Sequence, residues 1–107
     1  MPAGSPRHRP RWRLRGRVDD LAEVLLVKVG TLLVRYDAAC VRGDVQRIAR
    51  TEERIANELE AAAVAASGDR DLVEALRSVL RELERGRGHH DPMSLDRKRG
   101  ALHALSG

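Results

Sequence analysis

"EVLLVKVGTLLVRY", Glu23–Tyr36, is the stretch whose conformation decides the fold class of this chain. Its β-branched residues, with Gly30-Thr31 between them, fit two short strands joined by a hairpin turn with glycine first. A helix fits better. Val18, Leu21, Leu25, Val29, Leu32, Tyr36 and Ala39 recur at three- and four-residue spacing. The leucine pairs at 25–26 and 32–33 break strand alternation, and "YDAAC" continues a helix. Asp19 or Asp20 caps its start, and Glu23 adds negative charge at the positive end of the helix dipole.

A polar stripe runs through Asp20, Glu23, Lys28, Thr31, Arg35 and Arg42. Val24, Leu26, Val27, Leu33, Val34 and Val41 carry apolar character beyond the first face. One face is what an amphipathic helix in a small monomer requires. These six residues are therefore the predicted partner interface, used by a second copy or by a larger protein.

Outward from this helix, "RGD" at 42–44 reads as punctuation rather than as an adhesion tripeptide. Gly43 ends one helix and Asp44 caps the next. The short connection makes the two helices antiparallel neighbours. In the second helix, from Asp44 to about Ala66, the column Val45, Glu52, Leu59, Ala66 repeats every seven residues. Ile48, Ile55 and Ala62 form the next column, flanked by Ala49, Ala56 and Ala63. The alanines allow a neighbouring backbone to approach closely. Glu52 falls on the apolar seam, where a carboxylate is costly unless it reaches water or meets a cation from another helix.

The third helix opens with "DLVE", Asp71 and Glu74 having capping-box spacing, and ends at Arg85-Gly86. Leu72, Leu76, Val79, Leu80 and Leu83 form its stripe. "GRGHHDP" reads as linker. A last helix from Leu95 to Leu105, capped by Ser94, presents Leu95, Leu102 and Leu105 on one side and is too short to stand undocked.

The expected fold is thus all-α: an antiparallel three-helix bundle over residues 18–86, a linker with a short fourth helix over 87–107, and a disordered basic arm over 1–17. A chain of 107 residues with Trp12 and Tyr36 as its only aromatics builds its core from small aliphatic side chains. At roughly 25 cal/mol per Å² of buried apolar surface, such a core is weak alone, which favours a partner.

Charge is segregated. Residues 1–17 carry six arginines and no acid, 18–85 carry ten basic and fourteen acidic side chains, and 86–107 carry four basic and two acidic. The tails are basic and the body mildly acidic, so the net charge of +4 does not describe the body. In "RHRPRWRLRGR", Arg7, Arg9, Arg11, Arg13, Arg15 and Arg17 line one side of an extended chain, with Trp12 opposite. Arginines suit phosphates and an indole stacks on bases, so these seven residues are the candidate nucleic-acid contact.

Catalytic templates fail. No phosphate-binding glycine loop, nucleophile elbow or metal-protease helix is present, and Glu52 alone makes no active site. His89-His90-Asp91, with His103 the only other histidine nearby, lacks the spacing of a metal site. The expectation is a non-enzyme without metal or cofactor. Single Cys40 excludes an internal disulfide and fits a reducing compartment. Asp19, Asp20, Glu23 and Lys28 interrupt what a signal or membrane segment would need, which points to the cytoplasm. The function expected is a helical interaction or assembly subunit. The alternative is a nucleic-acid-associated protein attached by its arm.

Overall fold

The computed structural model describes residues 17–106. They form four helices: α1 (Arg17–Arg42), α2 (Val45–Ala65), α3 (Arg70–Arg85) and α4 (Pro92–Ser106). No strand occurs among the described residues. α1 runs unbroken through Gly30-Thr31, so the hairpin alternative is not what forms. The reason is packing. Helical spacing puts Ala22, Val29, Leu32, Leu33, Tyr36 and Ala39 on one buried side, whereas alternation would split the adjacent leucines between two faces. α1 already includes Arg17, which the sequence assigned to the arm; residues 1–16, with Arg7, Arg9, Arg11, Trp12, Arg13 and Arg15, lie outside the described residues.

The α1–α2 junction forms as expected. Gly43 takes φ +68, a left-handed conformation that glycine adopts without a Cβ clash. Its amide donates to the Cys40 carbonyl at 3.2 Å, and the Asp44 amide donates to Ala39 at 3.1 Å. These two bonds close the helix end. The Asp44 carboxylate then accepts from the Arg47 amide at 3.2 Å and starts α2.

Three caps differ from expectation. α1 begins at Arg17, so Asp19 and Asp20 stand inside its first turn rather than capping it. α3 is capped by Asp69, which accepts from the Leu72 amide at 3.2 Å, and Asp71 lies inside the first turn. α4 starts at Pro92 with Asp91 before it. The Ser94 amide and hydroxyl both donate to Asp91, at 3.2 and 2.8 Å, so Ser94 supports the cap instead of being it. A proline at the first helical position loses nothing by lacking an N–H, because that donor has no helical partner there. The bonds from Ser94 hold the Asp91 carboxyl below its usual range.

α1 and α2 run antiparallel: Tyr36 meets Glu52 near the turn, and Ala22 meets Ala65 and Ala66 at the far end. α3 packs on α2, and α4 packs on both α3 and α1. The fourth helix is thus a member of the bundle rather than an appendage to three. Leu102 is fully buried, and Leu95 and Leu105 pack against the same core. Burying a leucine contributes roughly 1.5–3 kcal/mol, which explains why a helix this short stays docked. Along α2 and its C-cap, Ile48, Ile55, Leu59, Ala62, Ala63 and Ala66 of the heptad columns are buried, whereas in the flanking alanine column Ala49 is exposed and Ala56 half-buried. Val45, at the helix start, is half exposed.

Candidate functional site

The residues predicted to form the interface divide between two sides of α1. Val24 is 53 % exposed, Val27 65 %, Val34 70 % and Val41 80 %. Leu33 is 4 % exposed and lies in the core, with half-buried Leu26 packed against it. The list therefore combined two faces. Leu33 and, in part, Leu26 are covered from within the chain by the core of the bundle, while the four valines are left in solvent.

Opposite that open surface lies a buried polar cluster that draws on three helices. Glu52 of α2 stands among Ile48, Ile55 and Leu59, as the heptad columns place it. Its Oε2 accepts from the Tyr36 hydroxyl of α1 at 2.5 Å and from Lys98 Nζ of α4 at 2.7 Å. This is the cation from another helix that a seam acid requires. Lys98, 1 % exposed, also donates to the carbonyls of Gly86 at 3.0 Å and His89 at 2.8 Å. Three acceptors occupy the three donors of its ammonium.

Gly86 makes room for this. A Cβ at that position would lie 3.1 Å from the Lys98 stem, which would have to give by a few tenths of an ångström to admit it. Burial, the hydrogen bond to Glu52 and the negative charge of Glu52 raise the Tyr36 phenol far above its ordinary range. It stays protonated and remains a donor. His90 completes the cluster, with Nδ1 3.9 Å from Glu52 Oε2 and without a hydrogen-bond partner. A second contact ties α4 to α1: Asp37 accepts from Arg99 Nε at 2.8 Å and lies 2.8 Å from His103 Nε2.

Beside Glu52 and His90, a groove of about 720 Å³ runs between α2 and α3. Glu53, Glu60 and Glu84 line it together with Arg77, Arg81 and Arg87, so its charge is mixed. Among the described residues, no three His, Cys, Asp or Glu side chains converge as metal ligands. His89 is exposed on its turn and His103 turns to Asp37. No described helix is long and apolar enough to cross a membrane. Cys40 is half-buried, and burial, the largest influence on it, raises its thiol pKa. That disfavours the nucleophilic thiolate.

In the sequence Tyr36 reads only as a core position, and Lys98 reads only as part of the basic stretch "DRKRG". A signal for Lys98 exists nonetheless: it falls between Leu95 and Leu102 at spacings of three and four, inside the apolar stripe of α4. A lysine there calls for a buried acid. Comparison with protein-family models, with curated proteins and with solved structures finds no match to this chain.

Proposed function

We propose that this chain is a non-catalytic helical interaction subunit, and that its contact surface is the outer side of α1. One observation carries this: Val24, Val27, Val34 and Val41 stand exposed along a single helix on the side away from the core. Isolated exposed apolar residues are ordinary on protein surfaces, but valines aligned along one side of a helix favour association there. The buried cluster supports the non-catalytic half of the proposal. Tyr36 and Lys98 spend their donors on Glu52 and on backbone carbonyls, so they act as ties between helices. By tying α1 and α4 to Glu52 of α2, and α4 to the end of α3, they keep the inner side of α1 covered and leave the outer side to a partner. A single cysteine, Cys40, fits a reducing cytoplasm.

The test is the variant Val27→Glu/Val34→Glu, expressed in place of the native chain. Both positions are exposed, so the variant keeps its helicity. Its charges would have to be desolvated in any complex formed on this face. The native particle, sized by gel filtration of cell extracts, should become smaller. An unchanged particle containing the folded variant overturns the proposal.

A second function rests on a separate observation, the six arginines and absence of acids in residues 1–17. Six phosphate contacts would give a slope of about −5 in log affinity against log salt. Deleting residues 1–16 should remove most of that slope along with the binding. Nucleic-acid affinity that survives the deletion unchanged excludes the arm as the contact.

A further inference from the structure

The exposed residues of α1 include Val24, Val27, Thr31, Val34, Ala38 and Val41, separated alternately by three and four positions. This is the spacing of a coiled-coil seam, with Val24, Thr31 and Ala38 at a positions and Val27, Val34 and Val41 at d. The buried residues of the same helix occupy b, c and f: Leu32 and Ala39, then Leu33, then Ala22, Val29 and Tyr36. The seam therefore lies directly opposite the chain's own core, and α1 carries two apolar stripes. Thr31, the only polar member of the outer stripe, turns its hydroxyl back to the Val27 carbonyl at 3.4 Å. It can enter an apolar contact with its donor already engaged.

The flanks of the seam identify the partner. From Val24 onward the e positions are Lys28, Arg35 and Arg42, all basic, with exposed Leu21 at the e position before them, and the g positions are Glu23, Gly30 and Asp37, none basic. In a parallel pair, each g residue faces the e residue five positions further along the other helix, so Glu23 meets Lys28 and Asp37 meets Arg42. In an antiparallel pair, e faces e, and the basic flanks oppose each other. Asp37 also holds Arg99 and His103 of its own α4, so Arg42 from a second copy would join an existing network. Charges on both sides limit the apolar strip to the width of one helix, leaving room for one partner.

We infer that the outer side of α1 pairs with the α1 of a second copy of this chain, parallel and in register. The inference rests on the interaction function proposed above and names its occupant. The paired segment, Val24 to Val41, is about 26 Å long at 1.5 Å per residue. Its two ends are far enough apart for cross-linking to distinguish the orientations.

The experiment uses the full chain, purified alone, in a Cys40→Ser background. With Val27→Cys added, a parallel pair brings the two thiols together across a d layer. In an antiparallel pair, position 27 lies opposite Ala38, and the two thiols are about 16 Å apart along the axis, too far for a disulfide. The expected results are a mass of two chains by sedimentation equilibrium, efficient oxidation of Val27→Cys to a covalent dimer, and a single-chain mass for Val27→Glu/Val34→Glu with helicity retained. A mass of one or three chains overturns the inference. So does a dimer that cross-links only when Val27→Cys is combined with Ala38→Cys, or one that persists in the glutamate variant. If the purified chain is single but the native particle still shrinks in the glutamate variant, the second copy is rejected while the outer-face function stands. If the native particle does not change, that function fails as well.

Discussion

The inside of this bundle and the outside of α1 exchange the residue types usually found there. Lys98 and Glu52 are buried, while Val34 and Val41, on the same helix as the buried Tyr36, are largely in solvent. The difference lies in the partners available. Lys98 is enclosed because Glu52, Gly86 and His89 offer its ammonium three acceptors. The valines stay outside because α2 and α4 together cover only the opposite side of α1. Residue type sets the cost of each placement, and the arrangement of neighbours decides whether that cost is met. The groove between α2 and α3 shows the intermediate case, with acids and arginines at a surface where both keep water.

The largest effect should come from breaking the inner half of this comparison. Lys98→Met leaves the Glu52 carboxylate buried without its cation and two carbonyls without a donor. Losing one partner of a buried pair costs about 3–5 kcal/mol. Chemical denaturation should register that loss, accompanied by earlier release of α4. The double variant Glu52→Leu/Lys98→Met removes both charges and should recover part of the loss, because the Tyr36 hydroxyl then needs a new acceptor and the Gly86 and His89 carbonyls a new donor. A cost below about 1 kcal/mol for Lys98→Met, the range of an exposed pair, would show that the cluster does not hold α4.

Neighbouring positions on α1 sharpen the outer half. Leu33 faces the core and Val34 faces solvent, so Leu33→Ala should cost about 2–5 kcal/mol of folding stability. Val34→Ala should stay within about 0.5 kcal/mol when the value is extrapolated to low protein concentration. At high concentration, Val34→Ala should lose whatever stability association contributes. Equal effects at both positions, independent of concentration, would remove the distinction between the two sides.

An effect smaller than those of Lys98→Met and Leu33→Ala is an alkaline one. Tyr36 has an ordinary phenol pKa of 10.0 when unfolded, and burial together with Glu52 raises it in the folded chain. Above that pH, the unfolded state releases a proton that the folded state keeps. The contribution is therefore complete below about pH 10 and declines above it, by at most about 1.4 kcal/mol per pH unit. Denaturation midpoints measured between about pH 8 and about pH 11 should fall more steeply for the native chain than for Tyr36→Phe. Parallel declines in the two proteins would mean that the phenol ionises freely in the folded state.

Helix ends and apolar columns were readable in the sequence because they depend on near neighbours. Gly43 and Asp44 make their turn and cap with groups at most five residues away, and the stripe Leu76, Val79, Leu83 is set by the helical repeat. The cap of α3 was placed two residues late because Asp69 and Asp71 are both competent. Backbone geometry at the junction selected Asp69. For α4, Asp91 supplied the cap and Pro92 the first position, a pairing hidden within what looked like linker. The seam acid Glu52 was visible as an anomaly, but its partners were not. Tyr36 and Lys98 come from helices before and after it, and no local rule links those positions.

What the sequence determined by itself is the helical character of the chain, the turns at Gly43 and Gly86, and an excess of apolar surface on α1. Each follows from periodicity, capping and backbone freedom over a few residues. Only the tertiary structure decided which part of that excess is covered. Leu33 and Val34 are adjacent in the chain, and a rotation of about 100° per residue carries one into the core and leaves the other in water. The position of α4 is likewise a tertiary outcome. Leu102 brings it onto the core, and Lys98 can be buried there only because Glu52 is already waiting on α2 with Tyr36 beside it.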